Sequence, residues 1–372
     1  MTMDLQGEAR GKRVLVLYSP ASGRARRLPR ALSHLQQAGL DVLQVLPISD
    51  LRGQPAQGAH WREQGVDVVI AAGGDGVIGG AINQIAGSGL PLGILPLGTS
   101  NDIARSLGIP LEVRAAARTL AAGQTRQTDL GAVYHYDPAC TAVWQPSEQQ
   151  TPAYGYFAHV LTVGLNVQFA QIATNVATRR RYGRLTYPRA AFEVLRNPEV
   201  LPVHLQFEGL QFPPHMHRPS LADWPQDAAY AELSSRALQV TVINAPIFGG
   251  AWQMTLPGSS LDDSVLDIVV FEEAGLGQLS ARLATYFQSP PLPAGTRRAQ
   301  RGAESFLQHS AELTGLPGMH HLQARGIVIS SARDPQPATL DGEICAQTPL
   351  YVRLLHHFLP VYVPINATTP ER

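Results

Sequence analysis

Cysteine is nearly absent: Cys140 and Cys345 are the only two among 372 residues. They are too few and too far apart for a disulfide framework or a four-ligand zinc site. Net charge is missing as well, because 29 basic residues balance 29 acidic ones. No global field therefore draws the chain to nucleic acid or to an anionic membrane, and electrostatic recruitment must come from local clusters. Charged residues are sparse at 16%, whereas 34 glycines and 29 prolines are an excess, a balance that predicts many turns and short strands. No apolar run approaches the roughly 20 residues needed to span a bilayer. Met1–Arg13 lacks an apolar core of signal-peptide length, so the expected setting is the cytoplasm, with membrane contact from one side at most. Internal repeats and low-complexity tracts are lacking too.

What is present is length enough for two cores, and the chain divides in its grammar. Val14–Tyr18, Val42–Leu46, Val66–Ala72 and Leu92–Leu95 are short apolar runs, as expected of strands buried on both faces of a parallel sheet. Between them lie helical patterns: Leu28, Leu32 and Leu35 before Gly39, then Val77, Ile78, Ala81, Ile82 and Ile85 before Gly87. Strand, glycine turn, helix, repeated, predicts a doubly wound α/β domain over residues 12–127. After Gly123 the pattern changes. Ala158–Val167, Gln239–Ile243, Leu266–Phe271, Gly326–Ser330 and Leu350–Leu355 predict strands with no regular helical partner, and so a β-sandwich over 128–366. Stretches near 137–152, 212–228 and 289–302 are rich in proline and polar residues and predict loops or insertions.

Two turns carry the chemistry. Gly73-Gly74-Asp75-Gly76 joins a buried strand to a helix, where glycine lets backbone approach a phosphate and the helix N-terminus offers free N–H groups. Asp75 repels phosphate, so metal, ribose or a backbone turn is its expected partner. A tight turn without ligand is the competing reading. Gly98-Thr99-Ser100-Asn101-Asp102 ends the next strand, so both turns share the rim where open α/β sheets bind ligands. Thr99 could bond a phosphate or cap a helix, and Asn101 and Asp102 could be ordinary first-turn residues. Asp341-Gly342 suits a hairpin of I′ geometry as well as a catalytic carboxylate. Asp262, Asp263 and Asp267 lie close together, suiting either a hard cation or a solvated turn. Arg179, Arg180, Arg181, Arg184 and Arg189, with Tyr182 and Tyr187 between, form the strongest basic cluster, either solvated or facing anionic headgroups. His356 and His357 sit in a predicted strand whose alternation points them to opposite faces, against a shared metal.

Taken in order, Ser19-Pro20-Ala21-Ser22-Gly23, Gly73–Gly76, Leu97–Arg105, Thr128-Asp129-Leu130-Gly131, Asn244–Gly250, Pro257–Asp267 and Leu340-Asp341-Gly342-Glu343 resemble the diacylglycerol and sphingosine kinases and their bacterial lipid-kinase relatives. The resemblance implies a NAD-kinase-like α/β nucleotide-binding domain followed by a β-sandwich lipid domain, with ATP in the cleft between them. It implies Mg·ATP-dependent phosphorylation of a lipid hydroxyl: diacylglycerol, a sphingoid base or phosphatidylglycerol. By the same resemblance Asp341 is the general base. Ser19, Gly73, Gly74, Asp75, Gly76, Val77, Thr99, Asn101, Asp102 and Glu343 surround ATP, and Asp263 with the carbonyls of Ser260 and Val265 holds Mg2+. The implied partners are ATP and a lipid, with membrane contact through Arg179–Arg189 and no nucleic acid; pairing with a second copy is left open. The chain departs from the family pattern at Ser19, where Asn is usual, and at Val77 and Gly80, where Thr and Glu are usual. These departures keep open a catalytically silent nucleotide- or lipid-binding homologue. A NAD kinase shares the glycine loop, but Gly98–Asp102 and the late Asp-Gly-Glu argue against it.

Overall fold

A computed structural model describes residues 11–20, 22, 24–137, 152–175, 178, 186–212, 230–248, 254–256, 259–273 and 318–365. In the first half, β1 (Arg13–Tyr18), β2 (Asp41–Pro47), β3 (Val68–Gly73) and β4 (Leu92–Pro96) form a parallel sheet ordered β2-β1-β3-β4. All six residues of β3 are buried, which is why the run is uninterrupted by polar residues. Helices α1 (Leu28–Gln37), α2 (Gly58–Glu63), α3 (Asp75–Ile85), α4 (Asp102–Ser106) and α5 (Val113–Ala122) connect or flank the strands. Pro29 sits in the first turn of α1, where its missing N–H costs nothing. Glu112 caps α5 by accepting from the N–H groups of Arg114 and Ala115.

The second half is mostly antiparallel. β5 (Gln124–His135), β6 (Gly155–Phe157), β7 (Val160–Gly164), β8 (Leu201–Glu208), β9 (Tyr230–Ile243), β10 (Ile247–Phe248), β11 (Met254–Thr255), β12 (Leu266–Glu272), β13 (Met319–Ala324), β14 (Gly326–Ser331), β15 (Pro337–Leu340), β16 (Glu343–Gln347) and β17 (Leu350–Val363) follow in order. Burial alternates strictly along β8, the mark of a strand with one face in a core. The predicted strand Ala158–Val167 stops at Gly164, and Leu165–Thr174 is a helix. Gly164 has φ +110°, and a Cβ there would lie 2.2 Å from the carbonyl oxygen of Leu238, so the chain turns out of the sheet at a point only glycine can occupy. A second unforeseen helix spans Thr186–Arg196. The expected insertions near 137–152, 212–228 and 289–302 fall almost wholly outside the described residues.

What joins the halves is β17. It pairs antiparallel with β5 along both strands, and with β14 through Leu350–Arg353. At Val361 it adds in parallel to β4, so one hydrogen-bonded network of 15 strands runs through the molecule. Leu359, Val361 and Val363 are buried in the same core as β1, β3, β4 and α3, each contributing roughly 1.5–3 kcal/mol by area. The expected boundary at 127/128 lies inside β5. The architecture is mixed α/β with one large sheet. Among the described residues, no helix is long and apolar enough to cross a membrane.

Candidate active site

The two glycine turns touch. The Gly73 carbonyl accepts from Leu97 N–H at 2.9 Å and Gly98 N–H at 3.1 Å. A Cβ at Gly98 would lie 2.3 Å from the Cα of Gly74, and one at Gly74 would lie 3.0 Å from the Cα of Gly98. Backbone therefore packs on backbone, and glycine is needed there by contact before any ligand is considered. Asn101, in the left-handed region at φ +53°, locks the second turn: its amide donates to the Gly98 carbonyl and accepts from the Gly98 N–H, both at 2.9 Å. Asp75 ties the turns from the other side by accepting from Ile103 N–H at 3.1 Å. The Arg24 guanidinium donates to the Gly98 carbonyl. This cation, missed in the sequence, hangs from the turn after β1. The parallel register puts Tyr18 beside Ala72, so half-buried Ser19 falls on the same rim. Thr99 is exposed there and Asp102 is buried in α4.

Helix α3 opens on this rim. Val77 and Ile78 N–H return to the Gly74 carbonyl, so Asp75 and Gly76 contribute the N–H groups that helix geometry leaves without an intrahelical partner. Gly76 is exposed, and a Cβ on it would meet nothing within 4 Å. Val77, expected at the nucleotide, instead faces the core: it is 6% exposed and presses so closely on Gly73 that a Cβ there would lie 2.4 Å from its Cγ2. At Gly80, Ile48 fills the space a side chain would enter, with its Cγ1 2.7 Å from an ideal Cβ. Apolar packing thus replaces both polar groups of the family pattern.

One turn into α3, a Cβ on Gly79 would lie 3.1 Å from Oδ2 of Asp341. Asp341 and Gly342 form the two-residue β15–β16 turn, with φ +47° and +89°, the I′ signature. The turn aims the carboxylate inward. Its oxygens accept from the N–H groups of Ala158 at 3.1 Å, His159 at 3.0 Å and Val160 at 2.9 Å. Burial pushes the Asp341 carboxyl above the usual carboxylate range, against the opposing pull of His159 and the three N–H bonds. The hairpin turn and the candidate carboxylate thus fall on one residue. Asn83 holds this junction, donating to the carbonyls of Gly79 and Tyr156 and accepting from Tyr156 N–H.

The acidic loop closes on itself. Asp263 accepts from Ser260 N–H at 2.8 Å and Val265 N–H at 3.2 Å. Burial, then the charges of Asp267 and Asp129, pushes its carboxyl up to about 7, with the two N–H bonds pulling the other way. Asp262 is occupied by Arg126. A half-buried carboxylate flanked by other carboxylates is a hard oxygen donor that a divalent cation would relieve. A relay joins this loop to Asp341. Asn244, 1% exposed, donates to the carbonyls of Asp129 and Ala158, and Asp129 accepts from Ser264 N–H. Alternation and spacing gave no signal for Asn83, Ala158–Val160 or the role of Asn244, because their partners lie far away in the chain. Glu343, two residues after Asp341, is exposed and paired with Arg52 at 2.9 Å. Of the basic cluster, Arg189 pairs with Glu193 in its own helix, while 179–185 lie outside the described residues.

The diacylglycerol kinase catalytic domain matches residues 13–133. Diacylglycerol kinase of Staphylococcus saprophyticus is 24% identical over 367 residues, 97% of this chain and 98% of that one. That of Bacillus subtilis is 27% identical over 283 residues, 74% of this chain and 78% of its own length. A solved structure of a diacylglycerol kinase from Bacillus anthracis superposes with a TM-score of 0.57 at 18% identity, covering 97% of this chain and all of that one. At that identity the superposition speaks for the fold.

Proposed function

We propose that this chain, a member of the diacylglycerol-kinase-like superfamily of bacterial lipid kinases, transfers the γ-phosphoryl group of ATP to a lipid hydroxyl. The observation that carries the reading is the meeting, on one helix, of a glycine-lined rim at the N-terminus of α3 and a half-buried, hydrogen-bonded carboxylate one turn further on. In this reading the N–H groups of Asp75 and Gly76 and the helix dipole bind phosphate oxygens. Thr99 donates to another, and Arg24 offsets their charge. Asp341, its basicity raised by burial, orients the attacking hydroxyl and takes its proton. Ala158, His159 and Val160 hold that carboxylate in a fixed place, which limits the reorganisation needed at the moment of transfer. Asp263, with the Ser260 and Val265 carbonyls, would hold Mg2+, which supplies charge stabilisation for the phosphates. Diacylglycerol leads the candidate acceptors because the relatives carry that name; sphingoid bases and phosphatidylglycerol follow.

The test is incubation with labelled ATP and a panel of these lipids, for the native chain and Asp341→Asn. The substitution should lower kcat by about two to four decades, the usual worth of a positioned general base, with ATP affinity nearly unchanged. Equal turnover of the two proteins would reduce Asp341 to a turn residue. A second reading, a silent homologue that binds nucleotide or lipid without turnover, draws on Val77 and Ile48 occupying apolar space where the family pattern has polar groups. Nucleotide binding by calorimetry with no labelled product from any lipid would favour it.

A further inference from the structure

A strand that simply alternated would separate His356 and His357, and β17 does not alternate there. Leu355 pairs with Leu130 and Leu359 with Thr128, so His356, His357 and Phe358 together oppose the single residue Asp129. His357 takes the left-handed conformation at φ +49°, which histidine enters more readily than most residues. Thr128 Oγ1 donates to the Leu359 carbonyl, and Phe358 stacks on Tyr156, pinning the bulge. The consequence is that both imidazoles come to one side, with ring centroids 3.6 Å apart. Beneath them the Asp129 carboxylate is 1% exposed.

The geometry points to a transition-metal site of the zinc class formed by Asp129, His356 and His357, separate from the oxygen-ligand loop at 260–265. One ligand atom from each of the three side chains lies within 4.8 Å of the others. His356 Nδ1 stands 3.0 Å from Asp129 Oδ1, close to the roughly 3.3 Å separating two ligand atoms on tetrahedral zinc with bonds of about 2.0–2.1 Å. The donor set decides the class of ion. Two imidazole nitrogens and one carboxylate oxygen suit zinc, cobalt or nickel, and poorly suit magnesium or calcium, which take oxygen. The carboxylate is already oriented as a metal ligand needs: Oδ2 accepts from Ser264 N–H at 2.9 Å, and Oδ1 accepts from His357 N–H at 2.7 Å. Both rings are exposed, so ions reach the site from solvent and water completes the coordination. In the free protein the Nδ1 of His356 rests on Asp129 and on Ser264 Oγ at 2.8 Å; metal would replace those contacts. Ser264 also adjoins Val265 of the acidic loop, so the two sites share a backbone segment while differing in ligand chemistry.

The test is titration of the full chain with Co2+, followed by its visible absorption, and with Zn2+ by calorimetry in millimolar Mg2+. One equivalent should bind with nitrogen-type Co2+ absorption, and Mg2+ in excess should not displace it. His356→Gln and His357→Gln should each weaken Zn2+ binding at least tenfold, and the double variant should abolish the absorption. Both rings are on the surface, and equal melting curves without metal establish that the variants fold. Zn2+ affinity within threefold of native in the double variant would overturn the site. So would loss of binding in Asp263→Asn with retention in the double variant, which would assign the ion to the acidic loop.

Discussion

Gly76→Ala separates the two reasons a glycine can stand at the rim. At Gly74 and Gly98 the reasons are entangled, because a Cβ meets backbone at 3.0 Å and 2.3 Å, so loss of function in those variants could report a damaged fold. At Gly76 nothing lies within 4 Å of the new carbon, and its φ is not positive. It sits in the first turn of α3, where alanine is better than glycine by up to about 0.5–1 kcal/mol. Without ligand the variant should therefore be as stable as the native chain or slightly more so, by about 1–2 °C in Tm. The Cβ of a helical residue tilts towards the helix N-terminus, and here that direction is the rim. If phosphate oxygens approach the Asp75 and Gly76 N–H groups closely, the methyl displaces at least one hydrogen bond to a charged group. That bond is worth about 1.5–3 kcal/mol, or about one to two decades in Kd. Calorimetry with Mg·ATP beside a thermal melt reads both numbers. A gain in stability together with ATP affinity within threefold of native would refute the placement of phosphates on this helix, however well the family resemblance holds elsewhere.

Other outcomes follow from the same packing. Val77→Thr should not restore nucleotide binding; it places a hydroxyl in the core against Gly73 and should cost about 1–3 kcal/mol, read as a lower melting point at unchanged ATP affinity. Tighter ATP binding would put that side chain back at the ligand. Asp263 gives a pH dependence with a defined sign. Its folded-state pKa, near 7, is above the unfolded value, so the folded state binds the extra proton and metal-free stability falls as pH rises from about 4 through 7. Asp263→Asn should therefore be more stable than the native chain at pH 8 without metal, and Mg2+ should raise the melting point of the native chain but not of the variant. A native melting point indifferent to Mg2+ at pH 8 would remove the ion from this loop.

Elements whose signal is local are legible in the amino-acid sequence. Strands buried on both faces must be apolar along their whole length, so β1, β3 and β4 were readable within a residue or two. Helix α3 was readable because its core face recurs with helical period. Motif order carried the family resemblance and singled out Asp341, Asp263 and both glycine turns. What those groups touch is set by long-range packing. The Asp341 carboxylate finds Ala158–Val160 more than 180 residues away, and nothing local encodes that meeting. Val77 resembles a ligand position in linear register, yet the helix rotation that buries Ile78 and Ile82 also turns it onto Gly73. The histidines show the limit most clearly: alternation holds only while each strand keeps register, and one bulge opposite Asp129 turns two opposed side chains into neighbours. Periodicity is a property of one segment, whereas register is fixed by the partner strand, and the partner is known only once the chain has folded.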